Sequence, residues 1–237
     1  MDIITHTDAP PETFPVAAEV GPPAAAAAGR KYAVELIGTF LFLFTIAASV
    51  LSASTWAPLA IGTALMVMIY AGGHISGGHY NPAVTLAALV RGRIGLPDAI
   101  GYWIAQLDGG LLAMALARWV IHPAQVHTLT LSGHALSAAF IAELLFTFAL
   151  CYVVLNVATS KDHPTNSFYG LAIGFTVLTG AIAVGGLSGG VFNPAVAISG
   201  AAIGLFAWPT LWTYLVAQII AGIAAGLTFL ALNPNDK

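Results

Sequence analysis

Ser76-Gly77-Gly78-His79-Tyr80-Asn81-Pro82-Ala83-Val84 returns later in the chain as Ser188-Gly189-Gly190-Val191-Phe192-Asn193-Pro194-Ala195-Val196. In each copy a glycine-rich loop runs into Asn-Pro-Ala. Asparagine is a strong N-cap, and proline fits the first helical turn, where its missing N–H is not needed. Each copy therefore predicts a helix start. The apolar stretches that follow, 81–91 and 193–204, are too short to cross a bilayer, which takes about 20 residues. A short helix behind an irregular loop is the pattern of a re-entrant segment, tolerated only where protein or a watery cavity shields the backbone.

Outward from these two stretches, candidate spans fall at 31–53, 56–73, 97–119, 135–158, 168–186 and 208–231. The halves repeat in two further ways. Glu35-Leu36 near the start of the first span matches Glu143-Leu144 at the start of the fourth. Gln106 follows Asn81 by 25 residues, and Gln218 follows Asn193 by 25. The unit is three spans plus one half-helix, about 30–119 and again about 135–232. Three is odd, so the second copy enters from the opposite side, giving inverted repeats about a pseudo-two-fold axis in the membrane plane. With the N-terminus inside, Arg30, Lys31, Arg91, Arg93, Lys161 and Lys237 fall on the cytoplasmic side and only Arg118 lies outside, as the positive-inside rule asks. Both termini are thus expected in the cytoplasm, on an integral multi-pass protein of the cell membrane.

Composition agrees. The chain is 58% hydrophobic and 7% charged, whereas a soluble domain carries about a quarter charged residues. Lipid must face most of it. A net charge of -3 without a basic cluster gives no footprint for nucleic acid. The single cysteine, Cys151, excludes an internal disulfide framework and a cysteine-based zinc site. Residues 1–29 alternate acids with prolines and lack the basic start and apolar core of a signal peptide, so they read as a disordered tail. Residues 233–237 read as a short C-terminal tail behind a channel domain at 30–232.

Because the repeats are inverted, the two Asn-Pro-Ala helix starts meet near the midplane. Each helix N-terminus carries about half a positive charge, so two together oppose cations and protons. The Asn81 and Asn193 amides remain free to donate to a neutral solute's oxygen, which is the exclusion logic of a water channel. The glycine pairs permit left-handed or extended backbone. The carbonyls of Gly77, Gly78, His79, Gly189, Gly190 and Val191 are then placed to face the pore as acceptors.

With those residues in view, the chain resembles the aquaporin, or major intrinsic protein, family over about 30–232. The resemblance is carried by His74 to Thr85, the second Asn-Pro-Ala with Pro82, Ala83, Pro194 and Ala195, the paired glutamates, and Ala105-Gln106 with Ala217-Gln218. It implies an all-α membrane protein. Its architecture would be a right-handed bundle of six transmembrane helices plus two re-entrant half-helices, with one pore per subunit and usually a homotetramer. It also implies that Glu35 and Glu143 hold the half-helix loops by accepting backbone hydrogen bonds. No cofactor, metal or catalytic residue is implied, only a passive channel for water and small uncharged solutes.

The family's narrowest point normally carries an aromatic residue, a histidine and an arginine. Here the corresponding positions are Ile61, Ala181, Gly190 and Val196, with Val196 in place of the arginine. The filter is expected to be wide and apolar, open to ammonia, hydrogen peroxide and small polyols. Ala197 replaces the aspartate of many glycerol channels, and these markers choose no subfamily.

Asp108, inside the third span, is a functional candidate because an ionisable group in a membrane is costly, although a bond to a neighbouring helix explains it equally well. His122, His127 and His134 share one loop and read as ordinary solvated side chains. Gly170-x-x-x-Gly174 and Gly222-x-x-x-Gly226 favour close helix packing. Two other classes compete with the channel. Gly186-Leu187-Ser188-Gly189 has the form of an intramembrane serine protease's nucleophile, which needs a base within reach; the last span offers no histidine. A closed-pore structural or adhesive membrane protein is the second.

Overall fold

The computed structural model describes residues 24–123 and 125–236. The described helices are α1 (Ala24–Leu51), α2 (Ala57–Ser76), α3 (Pro82–Arg91), α4 (Leu96–Ile121), α5 (Gly133–Thr159), α6 (Tyr169–Ser188), α7 (Pro194–Ala202) and α8 (Leu211–Leu232). A 3-10 turn, Trp208–Thr210, leads into α8. All but α3 and α7 are long and apolar enough to cross a membrane. Helix α1 begins inside the segment expected as a tail, because Ala24–Ala28 is a run of the strongest helix former. Most of that tail, residues 1–23, lies outside the described residues.

Local chemistry sets the helix ends. Proline occupies the first turn of α2, α3, α4 and α7, where it costs no hydrogen bond. Gly77 and Gly189 close α2 and α6 at φ 89° each, a left-handed cap that only glycine adopts without strain. These two caps turn the chain out of a full span and into the loop that precedes each half-helix.

Packing is close where glycines meet. A Cβ on Gly62 would lie 2.8 Å from the Gly174 carbonyl oxygen, and one on Gly174 would lie 2.5 Å from that of Gly62. The α2–α6 crossing therefore brings two backbones together with no room for a side chain, as small residues do in lipid. Gly222 performs the same service for α3, since a Cβ there would meet the Ala83 carbonyl oxygen at 2.8 Å. The half-helices sit in the centre of the bundle, and their side chains Ala83, Val84, Ala195 and Val196 are buried. The outer faces present large apolar residues instead. Trp56, Trp119, Trp208 and Trp212 stand exposed by more than half at helix ends, where indole rings suit a membrane–water boundary.

At the end of the bundle that carries both termini, Asp236 ties three segments together. Its carboxylate accepts from Arg91 at 2.6 Å, Arg93 at 3.3 Å and the Lys161 amide at 2.8 Å. Arg91 is itself buried, bonds Thr159 Oγ1 at 3.0 Å and stacks 4.1 Å over the Phe229 ring. Burial pushes the Asp236 carboxyl up, but the Lys161 amide, the Ser160 hydroxyl and the Arg91 guanidinium outweigh it and hold the group at about 2. The docked form is thus below the ordinary 3.8, so its stabilisation is complete above that value and is lost as pH falls toward 2. Asp236→Asn should loosen the C-terminus already at neutral pH and remove the acid-dependent loosening. Hydrogen exchange at 159–161 across this pH range checks it, and an unchanged acid profile in Asp236→Asn would place the transition elsewhere.

Candidate functional site

Each half-helix loop is gathered by one buried carboxylate. Glu35 accepts from Ser76 Oγ at 2.7 Å, His79 N at 2.9 Å, Tyr80 N at 2.7 Å and Gln106 Nε2 at 2.9 Å. Glu143 accepts from Ser188 Oγ at 2.7 Å, Val191 N at 2.9 Å, Phe192 N at 2.7 Å and Gln218 Nε2 at 2.9 Å. A carboxylate offers two oxygens with two lone-pair directions each, and four donors fill them. The duplicated sequence elements Glu, Ser, loop and Gln thus converge on one point in each half.

Tyr80 and Phe192 sit just before the asparagines at φ 49° and 48°, a conformation uncommon for residues with bulky side chains. Both are held from either side. The carboxylate takes each backbone N–H, and an asparagine of the opposite half takes each carbonyl. Asn81 Nδ2 donates to Phe192 O at 2.8 Å, and Asn193 Nδ2 donates to Tyr80 O at 2.9 Å. Meanwhile Asn81 Oδ1 accepts from Ala83 N and Asn193 Oδ1 from Ala195 N, at 2.8 and 2.9 Å. Each amide oxygen caps its own helix while one amide hydrogen stitches it to the other. One hydrogen remains on each Nδ2.

Asn81 and Asn193 border a cavity of about 200 Å³. Ile61, Ala181, Gly190 and Val196 all line it, and so do Gly78, His79, Gly189 and Val191. Gly77 lines a second, wider cavity at the terminal end, which adjoins the first at His79. None of the carbonyls of Gly77, Gly78, His79, Gly189, Gly190 and Val191 accepts a hydrogen bond from another described residue. The side chains around the first cavity are mostly aliphatic or aromatic. Its polar side chains are Asn81, Asn193, His79 and His127.

His122, His127 and His134 are all exposed, and of the three only His127 also lines the cavity. Thr128 Oγ1 donates to Gly204 O at 2.8 Å, Leu129 N donates to Leu205 O at 2.9 Å, and Ala207 N donates to Leu129 O at 3.2 Å. This strap lays the loop across the far mouth and brings His127 to the cavity rim. His122 and His134 are exposed outside it. No local pattern announces the strap, because its partners are backbone groups of any sequence.

The model of the family described as Major intrinsic protein matches residues 23–229. This chain is a major intrinsic protein. It is 39% identical over 217 residues to a glycerol uptake facilitator protein-like 6 of Lactiplantibacillus plantarum, covering 87% of this chain and 100% of that one. Aquaporin TIP2-3 of Zea mays is 35% identical, over 86% of this chain and 88% of that one. The aquaglyceroporin of Plasmodium falciparum shares the fold, with a TM-score of 0.72 at 23% identity over 85% of this chain and 95% of that one. As a family member the chain is a passive transmembrane channel for water and small solutes, not an enzyme.

Two candidates leave the site of this major intrinsic protein. Ser188 donates to Glu143 and accepts from Gly190 N at 3.1 Å, just as Ser76 does with Glu35 and Gly78. Its hydroxyl is spent on the turn. Asp108 lies on the exposed outer face of α4, away from the pore cavity, and bonds to no neighbouring helix among the described residues. The helical period explains this: Gln106 and Gly109 face inward, and Asp108 does not share their side.

Proposed function

We propose that the pore conducts water together with small uncharged solutes (ammonia, hydrogen peroxide and small polyols) and excludes cations at Asn81 and Asn193. The carrying observation is the filter chemistry. Ile61, Ala181, Gly190 and Val196 line one cavity, and no arginine or lysine borders it. Without a fixed cation or a ring of donors, the far half selects by size and by the cost of stripping water, and that cost is lowest for weakly hydrated solutes. A relative named for glycerol uptake favours inclusion of polyols.

Cation exclusion then rests on the half-helices. The N-termini of α3 and α7 face one another across the asparagines, and each directs partial positive charge into the cavity. Unsatisfied carbonyls on either side supply acceptors for a solute's hydrogens. Glu35 and Glu143 serve this arrangement by position alone, since all their lone pairs are taken.

Both termini lie in the cytoplasm in this reading. Lys31, Arg91, Arg93 and Lys161 gather at the terminal end, around Asp98 and Asp236, while Arg118 reaches the Ile203 carbonyl at the far end. The exposed apolar faces suit lipid and neighbouring copies in a homotetramer.

Proteoliposome shrinkage and uptake assays with water, glycerol, urea and ammonia test the solute range. Uptake of ammonia and glycerol above empty vesicles is expected, and passage of water alone would refute the wide filter. Asn193→Asp tests the barrier: it keeps the cap on Ala195 N but sets a carboxylate at the crossing, so cation conductance should appear. A variant as tight to cations as the parent would move the barrier away from the asparagines.

A further inference from the structure

The two halves match around their carboxylates but differ one step further in. Thr85 Oγ1 lies 3.2 Å from the Asn81 carbonyl oxygen, 3.0 Å from Gln106 Nε2 and 3.0 Å from His79 Nδ1. A hydroxyl has one hydrogen to give and two lone pairs. The Gln106 amide nitrogen only donates, and its other hydrogen goes to Glu35 Oε2 at 2.9 Å. If Thr85 gives its hydrogen to the Asn81 carbonyl, all three contacts are hydrogen bonds, provided that His79 donates from Nδ1. In the opposite assignment Thr85 donates to a bare Nδ1, and its contact with the Asn81 oxygen goes empty. The network is fully used in one tautomer alone.

The other ring nitrogen is the one that a solute meets. A Cβ on Gly77 would lie 3.2 Å from His79 Nε2, so this atom points along the loop toward the wider cavity, at the junction of the two cavities. In a neutral imidazole the nitrogen opposite an N–H is a pure acceptor. In the second half Val191 and Ala197 occupy the places of His79 and Thr85, so the far mouth has no counterpart.

We propose that Thr85 holds His79 as the Nδ1–H tautomer, so that the pore's terminal mouth presents a bare imidazole nitrogen that selects solutes bearing N–H or O–H hydrogens. This rests on the pore reading above. The direction is consistent along the path. A solute oxygen or nitrogen that accepts from Asn81 and Asn193 turns its hydrogens outward, where the loop carbonyls and then Nε2 accept them. With the opposite tautomer a donor would stand at that exit and oppose the orientation. Thr85 acts as a positioning residue, and His79 as the group that touches the solute.

The test uses the full chain in vesicles, with nitrogen-15 in the histidine rings, at neutral pH. The His79 signals are those that vanish in His79→Gln. A protonated Nδ1 and a bare Nε2 are expected in the parent and in Thr85→Ser. Thr85→Val should admit the Nε2–H form, and water and ammonia fluxes should fall about fivefold, the equivalent of one neutral hydrogen bond. An Nε2–H signal in the parent overturns the proposal, and so does an unchanged ring in a folded Thr85→Val. The parent spectrum decides the tautomer even if Thr85→Val fails to fold. Parent vesicles no leakier than empty ones would instead refute the pore reading, because the ring spectrum is read independently of flux.

Discussion

Glu143→Gln is expected to abolish most conduction and to lower the heat stability of the detergent-solubilised protein sharply. The carboxylate takes four hydrogen bonds, two at each oxygen. Glutamine keeps the shape but has one acceptor oxygen. Its NH2 group then confronts two donors: Phe192 N–H and the Gln218 amide in one orientation, Val191 N–H and the Ser188 hydroxyl in the other. A serine can turn its hydroxyl to accept; a backbone N–H cannot. One buried N–H is left unsatisfied at least, and bonds to a full charge are lost, for a combined cost of about 2–5 kcal/mol. Phe192 gains the most freedom, because its left-handed backbone was held by this carboxylate on one side and by Asn81 on the other. The pore should collapse locally before the spans separate. Thermal unfolding and vesicle shrinkage measured on the same preparation check this, and a variant with parental values in both would show that the loop holds itself.

Val196→Arg should convert the broad channel into a narrow one. Val196 is 3% exposed and borders a cavity of about 200 Å³, so a guanidinium there must occupy space that a solute now uses. Its donors can reach toward the unbonded carbonyls of the second loop, Gly189 to Val191, which makes the buried charge tolerable. Glycerol and urea fluxes are expected to fall at least about tenfold, a barrier increase of about 1.4 kcal/mol, with water reduced less. Added positive charge would also strengthen rejection of cations. An identical solute profile in parent and variant would mean that Val196 does not border the narrowest point.

Much of this was legible from residue types and spacing. Asn-Pro-Ala carries its own cap and first turn, and Asn81 and Asn193 cap Ala83 N and Ala195 N as their chemistry requires. Long uncharged runs announce spans because lipid leaves an unpaired charge no partner. The glutamates were findable because they recur at matching places in the two halves, and each accepts from four donors. The four positions proposed for the filter were countable from the asparagines because rigid helices preserve spacing, and Ile61, Ala181, Gly190 and Val196 line one cavity.

Other features were hidden. Asp108 sits in a span like Glu35 and Glu143, yet it lies outside the bundle, and composition alone cannot separate an inward face from an outward one in a helix apolar all round. His127 reaches the pore through backbone bonds to residues 204–207, which impose no sequence pattern. Asp236 in a five-residue tail docks on Arg91 across 145 positions, a contact that no local period encodes.

What the sequence by itself determined, then, is the class of machine: six spans, two half-helices starting at Asn81 and Asn193, and a carboxylate for each loop. The spans and the half-helix starts follow from local rules, capping and hydropathy, which act within a few residues of the signal; the carboxylate for each loop was implied by the family resemblance, since its partners lie 41 to 75 residues away. The tertiary structure alone decided that each asparagine amide crosses to the opposite half, Asn81 to Phe192 and Asn193 to Tyr80. It also decided that His79 leans on Thr85 and that His127 rims the far mouth. Those contacts exist only once the chain has closed on itself, because their partners are backbone carbonyls and single hydroxyls whose positions are set by how the helices pack.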